Sequence, residues 1–288
     1  MNNCLRKLSA IPIFLISKKR KRNLFFSFLP CTVMVLIGSI SYSIPIAAQS
    51  VATVPTIIKF TPPPPPPNRG AVGSRKGAAS RLGGCTPDNQ TVTALVPIYQ
   101  QTVSEQQNIV VPITKVWGLT NAERPHLFFF VPYEKSSITH VEFVFKALKN
   151  NQSQTLYRTS LNPPDNPGII QVNIPESVAA LQAGTMYHWF FKVRVKCNPQ
   201  QPTQLDYAEG WIQRIPQNTT LTTQLNSATP SQKVALYAAN GIWYDVLKTL
   251  AELRFAQPQD QTLSQQWANL LNSVGLEAIA NQPIIYKK

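Results

Sequence analysis

The residues of this chain that could do chemistry are few and widely spaced. Among 288 residues there are 13 Asp and Glu and three His. Asp245 and Glu252 are one heptad apart, so on a helix they share a face as a paired acid and base do, and Glu123 is a third carboxylate to draw on. Two of these within about 10 Å of each other across a cleft would suit glycoside cleavage. Lys248 stands between them at helical ion-pairing distance from both, so the pattern is equally that of a solvated, ion-paired face, and no catalytic residue is assigned. None of His126, His140 and His188 is paired at ligand spacing with another His, Cys or carboxylate; Glu142, two residues after His140, is the nearest case. Zinc wants three or four ligands on a rigid frame, so neither a metal nor a cofactor is predicted. His188 alternates with Tyr187 and Trp189 and reads as a sheet-surface residue. No Gly-x-Ser-x-Gly elbow occurs.

Glu123 and Arg124 fall in a loop ahead of a predicted strand, and Trp211 and Arg214 fall in the last predicted strand. Brought together they would form either a buried Arg–Glu pair that pins a loop to a sheet or an aromatic-lined groove that binds a ligand. Of the four cysteines, Cys4 and Cys31 lie in a targeting segment, which leaves Cys85 and Cys197. An oxidising compartment would join them in one disulfide; the other reading is two unrelated buried thiols.

The charge must be divided along the chain before it means anything. The formal net charge is +14, which pooled suggests a nucleic-acid binder. Residues 1–48 hold seven Lys and Arg and no acid, residues 49–84 hold five and no acid, and residues 85–288 hold 15 against 13. The part long enough to fold is nearly neutral, so nucleic-acid binding is not predicted. Residues 1–48 follow the pattern of an export signal: Lys18–Arg22 is the basic region, Leu24 to about Ile46 the uncharged one, and Ala47-Ala48 the small-residue exit, with cleavage near Ala48/Gln49. The alternative is an uncleaved anchor, for which Leu24–Ile40 is short and interrupted by Pro30. Residues 49–84 hold seven Pro and five Gly, with six consecutive prolines at 62–67. This composition predicts a disordered basic linker carrying a polyproline II rod.

From Thr91 the hydrophobic period is two. Seven strands are predicted, at Thr91–Pro97, Leu127–Val131, His140–Leu148, Thr155–Ser160, Ile169–Ile174, Tyr187–Lys196 and Glu209–Ile215, which is the pattern of an antiparallel sandwich of immunoglobulin/fibronectin-like type. Leu181–Tyr187 resembles the corner before the penultimate strand of fibronectin-type domains, where a Gly turns the chain and a Tyr hydroxyl bonds back to upstream backbone. From about Thr219 the period becomes 3.6. Thr229-Pro230-Ser231-Gln232 is a capping-box start, Gly241 a helix stop, and Asp260 the cap of a further helix that Gly275 ends. Gly241, Val246, Leu250 and Pro258 fall at tetratricopeptide intervals, but a solenoid needs about three repeats and only one is present. The helices are therefore predicted to pack their apolar stripes on the sandwich. The predicted divisions are 1–48, 49–84, a β-sandwich at 85–218 and a helical subdomain at 219–288.

Several motifs in one order carry a resemblance: the proline run before Cys85, Trp117-Gly118-Leu119-Thr120 with Glu123-Arg124-Pro125, Phe128–Tyr133, Tyr187-His188-Trp189, Gly210–Arg214, and Leu236-Tyr237-Ala238 with Gly241–Asp245. Together they resemble the secreted cyanobacterial family of domains of unknown function numbered 928. The resemblance covers roughly residues 60–285 and implies an envelope address and a fold, with no catalytic residue to transfer. The expectation is an exported, non-catalytic envelope module, in the periplasm or at the cell surface. It would bind another envelope protein or, through its basic tail, an anionic cell-wall polymer, with only the signal touching the membrane. An envelope-glycan hydrolase or lyase using Glu123, Asp245 or Glu252 is the alternative.

Overall fold

Period-two patterning from Thr91 onward builds two sheets in the computed structural model, which describes residues 58–67, 70–77, 86, 89–104, 110–149 and 152–285. The expected export signal, its cleavage point and Cys85 lie outside these residues. Among the described residues there are ten strands: β1 Thr93–Ala94, β2 Ile98–Ser104, β3 Val110–Thr120, β4 His126–Val131, β5 Ile138–Lys149, β6 Gln152–Leu161, β7 Gly168–Asn173, β8 Met186–Val195, β9 Gln204–Arg214 and β10 Ile284–Ile285. Each of the seven predicted strands has a counterpart. The strand count differs from expectation because β2, β3 and β10 were missed.

The larger sheet has the order β2-β3-β9-β8-β5-β6 and the smaller β1-β4-β7-β10. Pairing is not purely antiparallel, because β3 runs parallel to β9 from Trp117 to Thr120 and β10 runs parallel to β7. The sheets meet over Phe129 of β4, whose ring stacks on Phe191 at 4.2 Å and meets Trp189 edge-on at 5.4 Å. In β8, Tyr187, Trp189, Phe191, Val193 and Val195 are buried while the residues between them are not, so strict alternation fixes which face enters the core. The Tyr187 hydroxyl accepts from the Gln182 amide at 2.8 Å, the corner the Leu181–Tyr187 pattern predicted.

Four helices follow: α1 Thr219–Ser227, α2 Pro230–Ala239, α3 Trp243–Ala256 and α4 Gln261–Asn272. The predicted capping box starts α2, with Thr229 and Gln232 bonding reciprocally, and the Asp260 carboxylate caps α4. Gly241 turns the chain from α2 into α3 at a φ of +69°, a left-handed conformation that suits glycine. The first turn of α3 is buried on every side, from Trp243 to Leu247. It reaches β3 because Gly118 has no side chain; a Cβ there would come within 2.9 Å of the Tyr244 ring. Trp243 donates to the Leu95 carbonyl at 2.7 Å, and Phe128 meets Trp267 of α4 edge-on. Strands and helices thus share one hydrophobic core.

The segment 49–84 departs from the expected linker wherever it is described. Ile58 and Phe60 are buried, and Phe60 meets Trp243 edge-on at 4.9 Å. Downstream, residues 71–77 enter the place where β3 and β9 part. Val116 donates to the Ala71 carbonyl, Gly73 donates to Thr114, and Ser74 and Glu209 exchange both backbone bonds. Arg75 is buried and its guanidinium holds the Val274 and Gly275 carbonyls beyond α4 at 2.6 and 2.8 Å. Composition failed here because a strap needs only a few anchors and an open sheet edge, neither of which Pro/Gly content reports.

Candidate functional site

The four residues singled out in sequence do not form one site. Trp211 and Arg214 are three positions apart on β9, an odd spacing that sends side chains to opposite faces of a strand. Arg214 does meet Glu123, Nη2 to Oε1 at 3.2 Å, and also donates to the Leu181 carbonyl at 2.8 Å. Arg124 donates to the Glu176 and Val178 carbonyls. Arg214 thus ties the Glu123 and Leu181 loops to the end of β9, in a pair whose Glu123 side is exposed, and Arg124 ties its own loop to residues 176–178. Trp211 belongs elsewhere: its indole N–H donates to the Val72 carbonyl of the strap at 2.9 Å, and its ring lies on the outer face of the larger sheet.

The carboxylates named as candidate acids are separated by environment. Asp245 is buried, correcting the solvated face expected for it, and its Oδ2 accepts from the Thr120 hydroxyl at 2.7 Å and the Asn121 amide at 3.0 Å. Burial pushes its carboxyl up to about 6, against those two hydrogen bonds. Glu252 is half-exposed and pairs with Lys248 at 2.9 Å, as helical spacing predicted. Asp206, which the sequence did not flag, is buried and accepts from the Tyr133 hydroxyl at 2.5 Å and the Val92 amide at 2.6 Å. Burial raises its pKa, and it serves as a polar rivet between β9 and the start of the smaller sheet. An open hollow lined by Lys76, Asn89, Gln90, Thr91 and Thr93 carries no carboxylate. Among the described residues no group of three or more His, Cys, Asp or Glu could hold a metal ion. His126 is tied at Nδ1 to Gln171 at 2.7 Å, and burial, then Lys248, lowers its pKa.

What the fold does present is a ladder of rings and charges across the outer face of the larger sheet. The register sets Trp211 beside His188, Glu209 beside Phe190, and Lys146 of β5 on the other side of His188. The Trp211 and His188 rings stack at 4.1 Å and 10°, and His188 lies 4.1 Å from the Phe190 ring. The Lys146 and Lys192 ammonium groups sit 5.0 and 5.7 Å from the Phe190 centroid, in cation–π range. Glu209 reaches His188 Nε2 at 3.2 Å. Glu142, paired with Arg158 at 2.6 Å and Lys192 at 3.5 Å, is raised by burial but held below the ordinary range overall by those two cations. An ionised, doubly paired carboxylate is a poor proton donor, whereas a row of stacked ring edges flanked by ammonium groups suits pairing with an anion. His188 and Trp211 were legible one at a time from alternation; the ladder needed the β8–β9 register.

Cys197, just past β8, is packed against the core and disulfide-bonded. No helix among the described residues is long and apolar enough to cross a membrane. A family model, the Domain of Unknown Function DUF928, matches residues 75–284. No match was found among curated proteins.

Proposed function

The chain belongs to the DUF928 family of domains of unknown function, and on that premise we propose that it is an exported, non-catalytic binding module of the cell envelope. Its ligand is an anionic cell-wall polymer laid across the outer face of the larger sheet. The observation that carries this reading is the Trp211–His188–Phe190 row with Lys146 and Lys192 beside it, rings and cations gathered on one face of the sheet. The basic tail adds less than its composition suggested, because Arg75 is buried against backbone carbonyls. We read the two sheets as an immunoglobulin-like sandwich with added edge strands, supported by the Tyr187 corner, and assign Cys85 as the partner of Cys197. Both assignments fit an oxidising compartment.

The test is binding of a uronic-acid polysaccharide such as alginate, with neutral dextran as control. Affinity for alginate should weaken as salt rises and fall about tenfold or more in a Lys146→Ala, Lys192→Ala chain of unchanged melting temperature. Equal retention of dextran, or an unaffected double variant, rejects the assignment.

A further inference from the structure

The run of six prolines reaches the same face at its other end, where the Pro66 carbonyl accepts from Lys115. Tyr99 of β2 stands opposite Lys115 of β3, and Trp117, two residues on, stands opposite Trp211. The four side chains therefore project from one face. The Tyr99 and Trp117 rings are 6.0 Å apart. Lys115 is fully buried without a carboxylate partner, and its ammonium donates to the Pro66 carbonyl. Among the described residues, the buried Tyr99 hydroxyl and Trp117 indole N–H have no hydrogen-bond partner.

Pro63, Pro65 and Pro66 are half-buried while Pro62, Pro64 and Pro67 are exposed. Pro63 abuts Gly241, where a Cβ would come within 2.8 Å of the proline Cδ. Pro63, against Gly241, and Pro66, at Lys115, are one turn apart on a polyproline II helix, whose carbonyls have no internal donors and whose stiffness leaves little entropy to lose on docking. Aromatic rings interleaved with Trp, Tyr and Lys donors are the chemistry that recognises such a rod.

We propose that the Tyr99–Lys115–Trp117 face is a polyproline II-binding groove whose resident ligand is the chain's own Pro62–Pro67 segment. The segment is therefore a ligand held in cis at high local concentration, and a free peptide meets an occupied groove.

The experiment uses the full chain and a synthetic peptide spanning residues 59–70. Pro63→Gly with Pro66→Gly loosens the resident rod and leaves Phe60 and Arg75 in place. That variant should bind the peptide, read by tryptophan fluorescence, at least tenfold more tightly than the wild-type chain, and a proline-free peptide of the same charge should not bind. Adding Lys115→Met should remove at least tenfold of the gain. A folded rod variant that fails to bind the peptide, or binds it equally with Lys115→Met, overturns the proposal. If the glycine pair does not fold, Pro63→Ala with Pro66→Ala takes its place. Unfolding by that milder pair as well would make the rod an inseparable part of the core, which also overturns it.

Discussion

At the scale of single residues, most chemistry-capable groups are placed for structure. Asp245 bridges the first turn of α3 to the end of β3 and is covered on all sides. Its carboxyl ionises at about 6 when folded against an ordinary 3.8, so the folded chain holds the proton more tightly than the unfolded one. The stability it contributes is present below about pH 4 and lost as pH rises through 6. Relative to Asp245→Asn, the wild-type chain should lose on the order of 2–3 kcal/mol between pH 4 and 6.5, measured by urea unfolding across that range; parallel pH profiles would show that Asp245 does not titrate there. Tyr133→Phe deletes the hydroxyl bonded to buried Asp206 and should cost about 1–3 kcal/mol with the strand content unchanged by circular dichroism. Asp245 was misread because helical periodicity marks one apolar face, whereas a helix start wedged into a fold buries every face. The Glu123–Arg214 pair was readable because opposite charges at a loop and a strand end have few other partners.

At the scale of elements, legibility followed hydrophobic contrast. Strands β4, β5, β7 and β8 alternate or run apolar, and each was found within a few residues. The hairpin β2–β3 escaped because its outer half is Gln- and Thr-rich and Pro112 lies within β3, features that read as loop. Helix α1 escaped because Leu221 and Leu225 are its only buried residues. The strap was invisible for a third reason: its stability rests on partners more than 30 residues away in sequence, as with Phe60 on Trp243 and Arg75 on Val274. Phe60→Ala should therefore cost about 3–5 kcal/mol, a core-sized loss from what composition marks as linker. A chain beginning at residue 75, where the family match starts, should melt lower still and associate through the bared backbone of Thr114, Val116 and Glu209, seen as higher oligomers on size exclusion. A monomer of undiminished melting temperature would mean the strap closes nothing.

At the scale of the whole molecule, twelve Lys and Arg and no acid lie in residues 1–84, and the fold carries one lock that is proposed and one that is described. The proposed Cys85–Cys197 bridge closes a loop of more than 100 residues and should contribute roughly 4–5 kcal/mol. Cys85→Ser, Cys197→Ser and the double variant should then lose the same stability, whereas additive losses would mean the two thiols are not joined. The second lock is the strap, and its connectivity sets an order of events. A chain made from its N-terminus presents Arg75 199 and 200 residues ahead of the carbonyls it needs, on Val274 and Gly275. The Arg75 end of the strap therefore stays unlatched until the C-terminal helices have formed. Latching it is a late, long-range step of high contact order, and in that interval the nascent chain carries a strand-binding edge that its own N-terminal segment must hold against a neighbour's.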